Sequence, residues 1–190
     1  MNAILKAVSP SATDMIRMDH TRVLASFHRY ALDAQPRTKQ GLVNTVCLAL
    51  EIHAQIEEEI FYPALRSLDP QVVEKSVPEH QEMRRLIALL RAMDPAGPEE
   101  YDATFMELMR AVLHHVADEE TTLLPDAERR LADRLGELGA QMSRRRVELG
   151  APRAGELARN MARAVPPKAV MIGAGALLAG AFAFRLAARR

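Results

Sequence analysis

A chain of 190 residues has room for one domain of ordinary size, with a real core, plus an appendage. Its 25 basic and 25 acidic residues cancel and aromatic residues make up 4%, so the pull and stacking platforms of a nucleic-acid binder are missing and no nucleic-acid partner is expected. The one cysteine, Cys47, excludes an internal disulfide, and Met-Asn-Ala-Ile-Leu-Lys at the start lacks a secretory apolar run, which makes a reducing cytoplasmic setting the default.

Helix formers dominate and no alternating strand pattern with hairpin turns is present, which predicts an all-α protein. Ser9-Pro10-Ser11 supplies capping chemistry for a first helix over about 11–32, with Ile16, Val23, Leu24, Phe27 and Ala31 at helical spacing around His20. The break Gln35-Pro36-Arg37-Thr38 then offers Thr38 as the cap of a second helix reaching about 65, which carries Leu42, Val46, Ala49, Leu50, Ile56 and Ile60 on the face of His53. Pro63 is expected to bend or close that helix.

Val77-Pro78-Glu79 resets the chain for a third helix over about 78–93, and Asp94-Pro95-Ala96-Gly97-Pro98 is a loop before a fourth over about 98–124. Four comparable helices with short connections imply an antiparallel up-down-up-down four-helix bundle over 1–128. A charged amphipathic helical extension and linker follows over 129–165, with Leu131, Leu135, Leu138 and Met142 as an apolar stripe that suits the bundle or a second copy of the chain.

The chemistry lies in a repeat. His53-Ala-Gln-Ile-Glu57 and His115-Val-Ala-Asp-Glu119 each place a His and a Glu four residues apart, one helical turn, where imidazole and carboxylate can converge on one metal ion. Asp19-His20 is echoed by Glu79-His80 near the starts of the first and third helices, so the chain reads as two αα-hairpins related by a pseudo-two-fold axis. His20, His53, His80 and His115 lie among apolar residues at helical spacing, and six such groups buried without partners would be costly; a metal cluster removes that cost. The candidate metal ligands are therefore His20, His53, Glu57, His80, His115 and Glu119. His114 is left out because its neighbours one turn away are Arg110 and Asp118. His28 reads as a surface or hydrogen-bonded histidine, Glu58 and Glu120 as solvated or behind the ligands, and Cys47 as a small core residue.

An early helical His followed by His-x-x-x-Glu-Glu and a Pro six residues after the first Glu, repeated once, resembles the hemerythrin-like HHE cation-binding family over about 14–128. The resemblance implies a four-helix bundle around two iron ions with a bridging oxo or hydroxo group, the four histidines as terminal ligands and Glu57 and Glu119 as bridges. It also implies a small-molecule ligand, dioxygen, peroxide or nitric oxide, in sensing or stress protection. Oxygen carriers of that family have a further His one turn into the third helix, where this chain has Arg84. Two open positions in a more symmetric site then lean away from oxygen carriage, toward sensing or a peroxidase or catalase-like enzyme. Arg84 either turns inward toward a bound anion or pairs with a neighbouring Glu. A third reading is an interaction protein in which metal only stabilises the bundle.

The run over 169–188 is apolar apart from Arg185 and about long enough to cross a bilayer, so 166–190 reads as a C-terminal transmembrane anchor. Basic residues are more numerous on its N-terminal side, which places the bundle at the cytoplasmic face of the inner or plasma membrane. The alternative is a cytoplasmic protein in which this segment folds back or pairs in a homo-oligomer.

Overall fold

The structure is a computed structural model that describes residues 9–68, 71 and 73–165. Every regular element among the described residues is helical. Helix α1 (Ala12–Phe27) starts where the Ser11 hydroxyl accepts the Asp14 N–H, and it buries Met15, Ile16, His20, Val23 and Phe27 along one stripe. It ends five residues before the predicted point. After Phe27 the chain tightens into three-residue turns, Arg29 N–H to Ser26 and Tyr30 N–H to Phe27, and Ala31 and Leu32 are exposed. Among the described residues nothing buries another turn, and Tyr30 instead folds onto Phe105 with ring centroids 4.5 Å apart.

Helix α2 (Pro36–Ile56) is entered from Gln35 and not capped by Thr38: the Gln35 carbonyl accepts the N–H of Thr38 and of Lys39. Pro36 takes the first helical position, where its missing N–H costs nothing. Pro63 does not close the helix. The backbone widens into a π-helical segment over Glu57–Phe61 and continues as α3 (Tyr62–Arg66) with Pro63 in its first turn. The wider turn accommodates the residue that cannot donate. Helix α4 (Ser76–Ala92) and helix α5 (Pro98–Asp118) follow, and the device repeats: a π-helical segment over Glu119–Leu123, then α6 (Leu124–Arg130) with Pro125 in its first turn.

The extension folds onto this scaffold. Helix α7 (Leu135–Gly150) packs on α1 and α2, and a single 3-10 turn (Ala151–Arg153) leads into α8 (Ala154–Ala164), which lies along α2. Leu131, Leu135, Leu138 and Met142 join Ala12, Ile16, Phe61, Tyr62, Leu65 and Leu124 in one buried cluster. A second cluster gathers Val23, Phe27, Val46, Cys47, Leu50, Leu86, Phe105, Leu108 and Val112. The predicted ligands fall between the two, His20 between Ile16 and Val23, His53 between Leu50 and Ile56. Among the described residues no helix is long and apolar enough to cross a membrane; the segment 166–190 lies outside the described residues.

Two glycines set how closely the extension approaches. A methyl at Gly41 would lie 2.6 Å from the Ala164 amide nitrogen, and one at Gly139 would lie 2.1 Å from the Pro10 carbonyl oxygen, both rigid backbone. Gly136, also in α7, has nothing within 4 Å of that position. Gly139→Ala is expected to destabilise the protein by about 1–3 kcal/mol through overpacking. Gly136→Ala is expected to stabilise it by about 0.5 kcal/mol through helix propensity. Urea denaturation of the two variants checks the contrast.

Candidate metal centre

The six predicted side chains converge. His20 comes from α1, His53 from α2, Glu57 and Glu119 from the first residues of the two π-helical segments, His80 from α4 and His115 from α5. Glu57 and His80 have no exposed surface, and Glu119 and His115 have 1%. His53 Nε2 is 3.3 Å and His80 Nε2 3.4 Å from the same oxygen of Glu57; His20 Nε2 is 3.3 Å and His115 Nε2 3.6 Å from the same oxygen of Glu119. The donors form two sets, His20, His53, Glu57 and Glu119 in one and Glu57, His80 and His115 in the other, and within each set the ligating atoms lie within 4.8 Å of one another. Glu57 belongs to both.

A ring of carboxylates orients the imidazoles. Nδ1 of His20 is 3.0 Å from Glu120, that of His53 3.4 Å from Asp19, that of His80 2.9 Å from Glu58 and that of His115 2.9 Å from Glu79. Ionised carboxylates only accept, so each ring holds a proton on Nδ1 and points Nε2 inward. The pattern obeys the pseudo-two-fold relation: the residue before each early His holds the His of the following helix, and the residue after each ligand Glu holds the early His of the other hairpin. Three of these carboxylates are held in turn by guanidinium groups, Asp19 by Arg146 from α7, Glu58 by Arg84 at 2.7 Å and Glu120 by Arg17 at 3.8 Å. Arg84 is thus turned to Glu58, not toward the space between the ligands.

Sequence reasoning missed Tyr62. Its buried hydroxyl lies 2.8 Å from Glu119 Oε1, to which it donates, 3.3 Å from Glu57 and 3.4 Å from His80 Nε2. The 62-residue offset that relates His53 to His115 relates Tyr62 to Leu124, so the phenol stands on one half only and the centre is less symmetric than the ligand pattern implied. The π-helical segments were missed as well; the signal for both is the proline six residues after each ligand Glu.

Burial pushes each of these groups toward its neutral form. It raises Glu57, helped by the like charge of Glu119, to about 7 against opposing imidazoles. Burial would also raise Glu119, but His20, His115 and His53 outweigh it and pull that carboxyl down to about 2. For His20 burial acts downward and is outweighed by Glu119, Glu57 and Glu120, which lift it to about 8. Among the described residues, four atoms of the cluster have no hydrogen-bond partner: His20 Nε2, His53 Nε2, Glu57 Oε1 and Glu119 Oε2. His80 Nε2 and His115 Nε2 face each other at 3.2 Å, two lone pairs with their protons held on the far nitrogens. A cation among them resolves both conditions, and imidazole with carboxylate suits iron, manganese or zinc.

The other candidates sit apart. His114 is 70% exposed, with Nδ1 3.0 Å from Glu79, His28 is exposed at the end of α1, and Cys47 is packed in the apolar cluster, where burial pushes its thiol up to about 12. A crevice of about 10 Å³ reaches His20, His53 and His115, and a cavity of about 330 Å³ beside it, lined by Val46, Ala49, Ile52 and Arg146, shares Asp19 and Val23 with it.

The sequence matches the family model of the hemerythrin HHE cation binding domain over residues 11–127 and again over 72–165. It is 34% identical over 111 residues to a protein of Nostoc sp. strain PCC 7120 called a DNA nickase, a match spanning 58% of this chain and 31% of that one. This chain thus covers about a third of that relative's length. No solved structure matches it.

With Glu57 raised from 4.5 to about 7, the unfolded chain ionises first as pH rises, so this group removes stability progressively between those values. In chelator-treated protein, Glu57→Gln is expected to remove that part of the pH dependence. Urea midpoints from pH 4 to 8 check it.

Proposed function

The chain belongs to the hemerythrin HHE cation-binding family, and we propose that its buried cluster holds a non-haem di-iron centre with a bridging oxo or hydroxo group. The ligand is dioxygen, peroxide or nitric oxide, and the role is sensing or protection against oxidative or nitrosative stress. The observation that carries this reading is the convergence of two His-x-x-x-Glu pairs and two further imidazoles, with His20 Nε2, His53 Nε2, Glu57 Oε1 and Glu119 Oε2 left without a partner among the described residues. His20 and His53 would hold one ion and His80 and His115 the other, with Glu57 and Glu119 between them. Iron bound there supplies reversible redox change and open positions for a small ligand.

The protein's own part is positional. Asp19, Glu58, Glu79 and Glu120 keep the ring protons on Nδ1 and so present Nε2. Tyr62 donates to Glu119 Oε1, which leaves Oε2 for the imidazole side. The cavity beside Asp19 and Val23 is mostly apolar in its lining and suits the approach of a small uncharged molecule. In this reading the four long helices run up-down-up-down, and the apolar run 169–188 tethers the bundle to the cytoplasmic face of a membrane. The activity named for the Nostoc relative is not carried over, since under a third of that protein is matched.

A second reading, a peroxidase or catalase-like enzyme at the same centre, draws on the Tyr62 hydroxyl, a hydrogen-bond donor in contact with Glu57, Glu119 and His80.

Anaerobically reduced, then air-exposed protein is expected to hold about two irons per chain and to develop an oxo-bridged charge-transfer band. His53→Ala and Glu57→Ala are expected to lose both, and wild-type protein without stoichiometric iron would overturn the proposal. Hydrogen peroxide turnover that falls at least about tenfold in Tyr62→Phe, with iron retained, favours the enzyme; stoichiometric binding without turnover favours the sensor.

A further inference from the structure

The two halves of the centre differ most at the outermost layer. Three of the four carboxylates behind the imidazoles carry an arginine. The fourth, Glu79, pairs among the described residues with two imidazoles and no guanidinium: Oε2 lies 2.9 Å from His115 Nδ1 and Oε1 lies 3.0 Å from His114 Nδ1. Its counterpart in the first hairpin is Asp19, which is held by Arg146.

Asp118 completes the arrangement. His114 and Asp118 are one turn apart on α5, so His114-x-x-x-Asp118 runs beside His115-x-x-x-Glu119, shifted by one residue and turned from the core to the surface. The 62-residue offset pairs these positions with Ile52 and Ile56, so the first hairpin carries no such outer pair. Glu79, His114 and Asp118 each offer one donor atom, and the three atoms lie within 4.8 Å of one another. Glu79 is 19% exposed and His114 70%, so the group opens to solvent on one side and touches the inner ligands on the other.

We propose that Glu79, His114 and Asp118 form a peripheral site for a divalent transition-metal cation, linked to the inner centre through the Glu79 carboxylate. One imidazole and two carboxylates suit a borderline cation such as zinc, manganese or ferrous iron, with water completing its coordination. A cation there supplies the positive charge that Arg146, Arg84 and Arg17 supply at the other three positions. It also draws on the carboxylate that orients His115, so its arrival changes how His115 holds its own ion. The peripheral site does not depend on the proposed function; its coupling to the inner centre does.

Zinc ion is the probe, with equilibrium dialysis against chelator-washed full-length protein. Wild type is expected to bind one more zinc per chain than His114→Ala or Asp118→Asn, whereas His28→Ala, which removes another exposed imidazole, binds as much as wild type. The same difference of one is expected in a His53→Ala background, where the inner cluster is broken, so a failure of the inner centre leaves it intact. In nitrogen-15 spectra the His114 ring signals should shift with the added equivalent. Equal zinc binding by wild type and His114→Ala, or an equal loss in His28→Ala, overturns the proposal.

Discussion

Everything in this fold answers to the burial of four imidazoles and two carboxylates at the middle of a helical bundle. A carboxylate or imidazole taken out of water without partners costs several kcal/mol, comparable to the whole stability of a domain. The protein meets part of that cost in layers: imidazoles inside, Asp19, Glu58, Glu79 and Glu120 behind them, and Arg17, Arg84 and Arg146 behind three of those. What the layers leave open is concentrated at the centre, in the inward nitrogens and oxygens that face one another with no protein partner. A cation between them would satisfy the remainder and would make a metal part of the fold's energetics as well as of its chemistry.

The same constraint explains why the segment after α6 packs where it does. Arg146 reaches Asp19 from α7, so the orientation of His53 depends on a residue 93 positions later in the chain. The stripe Leu131, Leu135, Leu138 and Met142 closes the apolar cluster on one side of the ligands, and Gly139 lets α7 approach the backbone at the start of α1. Internal duplication then sets the limits of symmetry. The six candidate ligands and their four carboxylates repeat, while Tyr62 against Leu124, and His114 with Asp118 against Ile52 with Ile56, do not. A phenol that donates a hydrogen bond stands on one half of the centre, and an outward-facing donor cluster accompanies the other repeat.

The helices and the convergence of the six side chains were legible because both follow from periodicity. Phase alone separated His115 from His114: Ala111 and Glu119 flank the first, Arg110 and Asp118 the second. Features that depend on tertiary context were not legible. The end of α1 at Phe27 reflects a lack of apolar surface beyond it, the π-helical turns depend on how a proline is absorbed in a buried helix, and the roles of Asp19 and Arg84 depend on which helix lies opposite. Tyr62 read as an ordinary core aromatic because nothing local to it announces that its hydroxyl meets Glu119. Of the membrane reading, only the composition of 169–188 bears on it, and that stretch lies outside the described residues.

Iron-edge anomalous diffraction from crystals of the aerobically purified protein tests the central claim most directly. The account predicts two anomalous peaks, one among His20, His53, Glu57 and Glu119 and the other among Glu57, His80, His115 and Glu119. Their absence from protein with intact ligands, or iron bound only elsewhere on the molecule, would contradict it.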